Sequence, residues 1–231
     1  MFGIIAKPLG WLMTQLYSVV GNYGITLVIL TVIVKFALYP VYKKSIMSTA
    51  GMSDMQPRMQ ELQRKYANDK EKLNEKMAEL YKEEGYNPMG GCLPMIVQMI
   101  VIMGLFGLLR NPMTYVSSDT MYFAIHEGFL WIKDLSQPDL WVLPILAGVA
   151  TFFSSWLSQQ TNPNAQSGNF MMKMMQYFLP IMIVWLARTY PSGLAIYWFI
   201  GQFMQIFFNL RFNQIRKALK EKNKPAKKKK K

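Results

Sequence analysis

A single lysine stands in the middle of an apolar stretch near the start of the chain. Lys35 lies in the run from Ile29 to Pro40, where the only other polar side chains are those of Thr31 and Tyr39. A charge near the centre of a spanning helix costs about 2.5 to 3.5 kcal/mol, so such residues usually face a bundle interior or a water-filled cavity. The alternative is a side chain that snorkels to the membrane surface, about 10 Å away. We favour an interior position, where Lys35 could bind a polar or acidic ligand.

Polar side chains recur at helical spacing in the other apolar stretches. Trp198, Gln202, Gln205 and Asn209 follow one another at i, i+4, i+7 and i+11, which is one face of a helix. The residues that we predict to line a groove with Lys35 are Thr31, Gln98, Ser155, Ser158, Trp198, Gln202 and Gln205. Hydrogen bonds between neighbouring helices would explain any one of these residues, but their recurrence on four stretches favours a shared hydrophilic groove.

The elements that would position these residues are membrane-spanning helices. The chain is 52% hydrophobic, its mean hydropathy is +0.10, and a span needs about 20 apolar residues. The predicted fold class is therefore an all-α integral membrane protein with five transmembrane helices. Its predicted parts are an N-terminal amphipathic interfacial helix (1–21), transmembrane helix 1 (22–42), a cytoplasmic helical hairpin (43–88), transmembrane helix 2 (89–110), an extracytoplasmic loop (111–138), transmembrane helices 3 to 5 (139–208) and a basic cytoplasmic tail (209–231).

The first of these parts is predicted to lie along the membrane surface. Lys7, Pro8, Trp11 and Gln15 interrupt its apolar residues, which suits an interfacial helix better than a span. A signal peptide is the alternative, but no Ala-x-Ala type of cleavage site closes the stretch.

The net charge of +13 is distributed unevenly. Segment 43–88 contains nine Lys and Arg residues and segment 209–231 contains eleven, whereas segment 111–138 contains only one. The positive-inside tendency therefore predicts an N-terminus outside and a C-terminus in the cytoplasm. In that orientation six polar residues of the predicted groove share the cytoplasmic half of the membrane, namely Lys35, Gln98, Ser155, Ser158, Gln202 and Gln205. This common depth predicts a groove open to the cytoplasm and sealed toward the outside.

Segment 43–88 has a helical pattern of its own. Its apolar residues fall on two stripes, which are Met55, Met59, Leu62 and Tyr66, then Leu73, Met77 and Leu80. Asn68 and Glu71 have the spacing of a capping box, and Gly85 with Pro88 is a stop signal. The pattern predicts a helical hairpin, which could be a solvated connector or a contact site for a partner.

The C-terminal segment is strongly basic. Arg211, Arg216, Lys217, Lys227 and Lys228 are the residues that we select as contacts for anionic lipids or for ribosomal RNA. A solvated tail that only fixes the topology would have the same composition.

Catalysis has little support in the sequence. There is no G-x-x-x-x-G-K-[ST] nucleotide loop and no His-Glu-x-x-His zinc pair. The only cysteine, Cys92, is interpreted as a small apolar residue at the start of span two. A Ser-Lys dyad of Lys35 with Ser155 or Ser158 would need both groups within hydrogen-bond reach, which nothing in the spacing indicates. We therefore predict a protein that is not an enzyme and that needs no cofactor and no metal.

Three motifs resemble one known family. They are a charged residue late in span one followed by a proline, Asn87-Pro-Met-Gly-Gly-Cys-Leu-Pro94-Met-Ile-Val-Gln98 at the start of span two, and Gly193-Leu-Ala-Ile-Tyr-Trp198 in span five. In combination they resemble the YidC/Oxa1/Alb3 family of membrane protein insertases, over nearly the whole chain. The family's charged groove residue is usually arginine, whereas Lys35 keeps the charge without the bidentate fork. Gln98 and Trp198 match the other groove positions.

The resemblance implies insertion of nascent membrane proteins without ATP, in cooperation with the Sec translocon and ribosomes. It also implies a bacterial plasma membrane protein. The sequence leaves the oligomeric state open, and a functional monomer is one expectation. Two other functions stay open at this point. A secondary transporter could use the intramembrane lysine to bind a small anionic solute, although no internal repeat is visible. An assembly scaffold could use the nineteen methionines as an adaptable surface.

Overall fold

In a computed structural model, the described parts of the protein are mainly helical. The structure describes residues 3–49, 52–85, 93–110, 112–115, 119–160 and 170–228, and within them the only strand-like feature is one isolated bridge between Phe129 and Ile132. The helices are α1 (Gly3–Val20), α2 (Tyr23–Thr49), α3 (Met52–Lys65), α4 (Lys70–Glu83), α5 (Leu93–Arg110), α6 (Pro112–Tyr115), α7 (Asp119–Ala124), α8 (Val142–Gln160), α9 (Phe170–Ala187) and α10 (Ser192–Lys228). The predicted all-α fold class is confirmed.

Three helices are long and apolar enough to cross a membrane. These spans are Tyr23–Ser45 in α2, Val142–Gln159 in α8 and Ser192–Ile215 in α10. The apolar parts Ile96–Leu109 of α5 and Gln176–Ala187 of α9 are shorter. A count of five spans therefore stays a prediction, although each of the five predicted stretches does form a helix.

The helices pack as two groups that share α10. Helix α8 packs against α9 and α10, while α2 packs against α1, α5 and α10. Buried apolar side chains from these helices form the main core, including Leu27, Leu30, Leu105, Leu108 and Tyr197. Large apolar side chains such as Ile145 and Trp156 remain exposed on the outside of α8, as a surface in contact with lipid would require.

The N-terminal helix α1 lies against α5. A Cβ atom at Gly104 of α5 would come within 2.7 Å of Ile5, so the glycine permits this close approach. Ala6 and Met13 are buried, while Trp11 and Val19 are exposed. The exposed apolar side chains are consistent with membrane contact, and the interfacial position of α1 stays a prediction.

Helices α3 and α4 pack against each other, and their place in a cytoplasmic hairpin stays a prediction. Asp69 caps α4, because its carboxylate accepts a hydrogen bond from the Lys72 backbone N–H at 3.1 Å. The capping box predicted at Asn68 was therefore wrong by one residue. Gly85 follows α4 with φ +63°, as the predicted stop signal requires, whereas Pro88 lies outside the described residues.

Helix α10 continues past the predicted end of the last span. The helix runs to Lys228, whereas the predicted boundary was residue 208. No glycine or proline occurs between Gly201 and Pro225, and lysine, arginine, leucine and alanine all favour helix. The start of the basic C-terminal segment is therefore a helical extension of the span.

Segment 119–141 covers one end of the bundle, which we call the capped end. The Ser192 backbone N–H and hydroxyl both donate to the Gln137 carbonyl, at 2.9 and 2.6 Å, and the Gly193 N–H donates to the Leu135 carbonyl at 3.1 Å. Glu127 accepts hydrogen bonds from the Tyr17 hydroxyl and from the Tyr23 backbone N–H. The predicted loop 111–138 therefore includes an ordered cap that ties together the ends of α1, α2 and α10. The opposite end, where α2 leads toward α3, is called the hairpin end.

Candidate functional site

Lys35 is buried in the interior of the helix bundle. Its side chain is only 3% exposed, and its Nζ atom donates a hydrogen bond to Gln98 Oε1 of α5 at 3.0 Å. Among the described residues, none of the salt bridges involves Lys35. The prediction that Lys35 faces the bundle interior agrees with this position, and its charge is solvated by a neutral amide.

Gln98 connects three helices through its side-chain amide. Its Oε1 also accepts a hydrogen bond from the Tyr42 hydroxyl at 3.0 Å, and its Nε2 donates to the Tyr197 hydroxyl at 3.0 Å. We call Lys35, Gln98, Tyr42 and Tyr197 the Lys35 network. Because α2, α5 and α10 each contribute to it, the network holds these helices in register and satisfies most of the hydrogen-bonding capacity of the amide.

A glycine on α10 makes room for the lysine side chain. A Cβ atom at Gly201 would lie 2.9 Å from Lys35 Cε and 3.5 Å from Nζ. Thr31, one turn before Lys35 on α2, is also buried and donates its hydroxyl to the Leu27 carbonyl at 2.7 Å. Lys35 and Thr31 therefore face the backbone of α10 directly, at a point where a larger residue than glycine would displace the lysine.

An aromatic cluster lies on the hairpin side of Lys35 and shares Tyr42 with the Lys35 network. Tyr39 and Tyr42 of α2 meet Phe208 and Phe212 of α10, with the Tyr39 ring 5.2 Å from Phe208 and 5.3 Å from Phe212 between centroids. Lys35 Nζ lies 5.8 Å from the centroid of the Tyr42 ring. We call Tyr39, Tyr42, Phe208 and Phe212 the aromatic cover, because they lie on the hairpin side of the buried ammonium group.

Other predicted groove residues bind α10 to α8. Trp198 Nε1 donates to Thr151 Oγ1 at 3.2 Å, and Gln205 donates to Asn209 Oδ1 at 3.1 Å. Asn209 in turn donates to the Ser154 carbonyl at 2.9 Å. These three hydrogen bonds join α10 to α8 or lie within α10, so they lie apart from the hydrogen bonds of the Lys35 network.

The remaining predicted residues differ in exposure. Gln202 and Ser155 are half-buried and Ser158 is exposed, and none of the three takes part in the hydrogen bonds described for the Lys35 network. In the basic segment, Arg211 and Lys217 are exposed on α10. The side chains of Arg216, Lys227 and Lys228 lie outside the described residues, as does Cys92.

Two residues of the network were absent from the predicted set. Tyr42 stands at i+7 from Lys35, which places it on the same face of α2. That spacing could have identified it. Tyr197 directly precedes Trp198 in the motif used for prediction, but helical periodicity placed the polar face of α10 on Trp198 and so pointed away from Tyr197.

Comparison with known proteins places the chain in a family. The model of the family described as 60Kd inner membrane protein matches residues 15–221. The chain belongs to this family. The resemblance to YidC/Oxa1/Alb3 proteins is confirmed by this match together with relatives and a solved structure that bear the name YidC.

Named relatives come from bacteria. A membrane protein insertase YidC of Wolinella succinogenes is 37% identical over 93% of this chain, and one of Fusobacterium nucleatum is 36% identical over 89%. The chain spans 38% of the length of the Wolinella protein and 93% of the length of the Fusobacterium protein. The names of these relatives give no support to the alternative function of a secondary transporter.

A solved structure has the same fold. It is titled "Active YidC insertase crystal structure with the first transmembrane domain resolved" and is 25% identical, with a TM-score of 0.64 over 89% of this chain and 45% of the solved chain. The chain therefore shares its helical architecture with that solved insertase.

Proposed function

We propose that the chain is a membrane protein insertase and assembly chaperone. It receives hydrophobic nascent proteins in a hydrophilic groove around Lys35 and releases them laterally into the bilayer. The observation that carries the proposal is the buried Lys35 ammonium group, which is hydrogen-bonded to Gln98 and lies in no described salt bridge. The names of the relatives support the same function, and the proposed process involves no catalysis.

The unneutralised lysine gives the groove a selective attraction for acidic segments. Two unit charges 4 Å apart attract each other by about 4 kcal/mol at an effective dielectric constant near 20. An acidic or polar segment of a passenger could therefore replace part of its lost hydration by contact with Lys35. Further hydrogen-bonding groups come from Gln98 and from the Tyr42 and Tyr197 hydroxyls, each of which is hydrogen-bonded to the Gln98 amide at 3.0 Å.

The groove would open toward the hairpin end of the bundle. Lys35 is covered on that side by the aromatic cover, whereas the opposite end is closed by the hydrogen bonds of the cap. A passenger that enters from the hairpin end must therefore displace the aromatic cover, after which its path is blocked at the capped end. This asymmetry favours delivery halfway across the membrane rather than through it.

An apolar cavity supports lateral release. A cavity of about 210 Å³ lies between α5, α9 and α10 and is lined by apolar and aromatic side chains, including those of Ile102, Phe106, Ile183, Leu186 and Trp198. Trp198 and Ala195 of this lining lie within one turn of Tyr197. An apolar passenger helix next to the Lys35 network would find a continuous apolar surface toward the lipid at this point.

The proposed orientation has the N-terminus outside and the C-terminus in the cytoplasm of a bacterial plasma membrane. The basic segment of α10 leaves the bundle at the hairpin end, because Phe212 stacks on Tyr39 near the end of the α2 span. The two basic segments of the chain therefore share one side, as the positive-inside tendency requires. Exposed Arg211 and Lys217 make this side a candidate contact for ribosomes, the Sec translocon or anionic lipids, and the chain could act as a monomer.

Reconstitution tests the proposed function. The purified chain is placed in liposomes, and insertion of a one-span passenger with acidic extramembrane residues is followed by protease protection. We expect the wild type and Lys35→Arg to insert the passenger and Lys35→Ala to lose most of the activity. Insertion by the wild type no better than in empty liposomes would overturn the function, and full activity of Lys35→Ala would overturn the role of the lysine.

A further inference from the structure

The cap contains a tight turn with two exposed apolar residues at its tip. The Phe129 N–H donates to the Ile132 carbonyl at 2.8 Å and the Ile132 N–H donates to the Phe129 carbonyl at 3.0 Å, so Leu130 and Trp131 are the two turn residues. Two-residue turns of this kind usually contain Asn, Asp or Gly. Here Leu130 has φ 53° and is 76% exposed, and Trp131 is 48% exposed.

This conformation is unfavourable in water on two counts. A positive φ is rare for a side chain other than Gly, Asn or Asp, and exposure of Leu130 and Trp131 leaves a large apolar surface unburied. Neither feature is needed to close the turn, because glycine at the first turn position followed by a polar residue would close it without strain. The residues are instead suited to an environment that is itself partly apolar.

The tip is fixed to the ends of two spanning helices. The Phe129 ring packs against Gly24 at the start of α2, where any Cβ atom would overlap it. Trp131 Nε1 donates to Asp139 Oδ2 at 2.9 Å, and the same carboxylate accepts from the Leu143 N–H of α8 at 2.9 Å. Because both spans begin here, the tip lies at the level where the chain enters the bilayer.

The exposed apolar surface continues from the tip onto α8. Leu140 and Trp141 are exposed just before the helix, and Ile145 and Val149 continue the exposed face along it. The Arg188 guanidinium lies 4.4 Å from the centroid of the Trp141 ring. Tryptophan with a neighbouring cation is typical of the head-group region, where one end of the pair is apolar and the other is wet.

We propose that Leu130 and Trp131 form a lipid anchor that inserts into the head-group and upper acyl region of the leaflet at the capped end. Phospholipid is the occupant, and Arg188 faces its phosphate. The anchor holds the cap against the membrane, and so keeps the capped end closed while a passenger enters from the hairpin end. Lipid contact of the tip does not depend on the proposed function, since it rests on the turn and on the spans alone.

Depth-dependent quenching tests the anchor. The full chain with Cys92→Ser receives either Leu130→Cys or, as a matched control on the same segment, Lys133→Cys, and each cysteine is labelled with an environment-sensitive fluorophore. The labelled chains are placed in nanodiscs of phosphatidylcholine and phosphatidylglycerol, so that both faces are accessible. Quenching by lipids with a nitroxide on acyl carbon 5 is compared with quenching by aqueous iodide.

The label at position 130 is expected to be quenched at least threefold more strongly by the lipid nitroxide than the label at 133, with the opposite order for iodide. A second tip variant, Trp131→Cys, is expected to behave like Leu130→Cys. The proposal can therefore still be tested if one of these two tip variants fails to fold. Equal quenching at the tip and at position 133 would overturn the proposal. Strong iodide quenching at both tip positions would also overturn it, because the tip would then lie in water although lipid is present. A protein partner would then be the alternative occupant.

Discussion

Replacement of Gln98 by leucine removes the side chain that joins α2, α5 and α10. The variant loses the acceptor for Lys35 Nζ and Tyr42 and the donor to Tyr197, all at 3.0 Å. A hydrogen bond to a charged group contributes about 1.5–3 kcal/mol, and one between neutral groups in a membrane protein contributes about 0.6 kcal/mol. Leucine keeps most of the volume, so little cavity term is added. We expect a net loss of about 3 kcal/mol.

Thermal unfolding in detergent measures this loss. For a chain of this size, 1 kcal/mol corresponds to about 2–4 °C in Tm, so Gln98→Leu is expected to lower Tm by about 6–12 °C. Gln205→Leu is the matched control, because Gln205 donates only to Asn209 of its own helix among the contacts described. Its Tm is expected to change by about 2 °C. Equal shifts for the two variants would refute the assigned importance of the Lys35 network.

Three further outcomes follow from the capped end and the hairpin. Gly24→Ala forces a Cβ atom into the Phe129 ring and is expected to cost about 1–3 kcal/mol of stability in thermal unfolding, which Phe129→Ala in the same chain should partly restore; no restoration would contradict the contact. Burial acts to raise the pKa of Asp139, but hydrogen bonds from Trp131 and from backbone N–H groups outweigh it and lower this pKa. The wild type should therefore be more stable than Asp139→Asn, with the full difference present above the unfolded pKa of about 4 and lost as the pH falls through the folded pKa. A stability difference that does not change with pH between 3 and 7 would contradict this. Arg58→Ala removes the exposed pair with Glu84 and is expected to change the stability by less than about 1 kcal/mol, so a large drop in Tm would show that this pair does more than bridge α3 and α4.

Apolar runs and charge determine most of what the sequence predicts correctly. The stretches around Lys35 and Gln98 form helices, because a run of apolar residues in a membrane must satisfy its backbone internally. The sequence predicted that Lys35 and Gln98 line the same groove, but it did not predict their hydrogen bond. Its geometry depends on Gly201, whose missing Cβ lets α2 and α10 approach, and a single glycine gives no periodic signal.

The parts that prediction missed depend on contacts between distant segments. Tyr197 joins the network because α10 turns one face to α5, whereas Trp198 next to it binds Thr151 of α8. Helical periodicity gives one polar face but not which neighbour it meets. The cap was predicted as a plain loop because its hydrogen bonds, such as Ser192 to Gln137, involve backbone carbonyls that composition does not reveal.

The most direct test of the central claim combines a change in the chain with a change in the passenger. Lys35→Met keeps an unbranched side chain of similar length but removes the charge. Insertion by wild type and by Lys35→Met in liposomes is measured for two passengers that differ only in whether one extramembrane segment is acidic or neutral, with Tm used to match the folded fraction. A charge-selective groove predicts at least a tenfold loss for the acidic passenger and little change for the neutral one. An equal loss for both passengers, or no loss for either, would contradict attraction by Lys35.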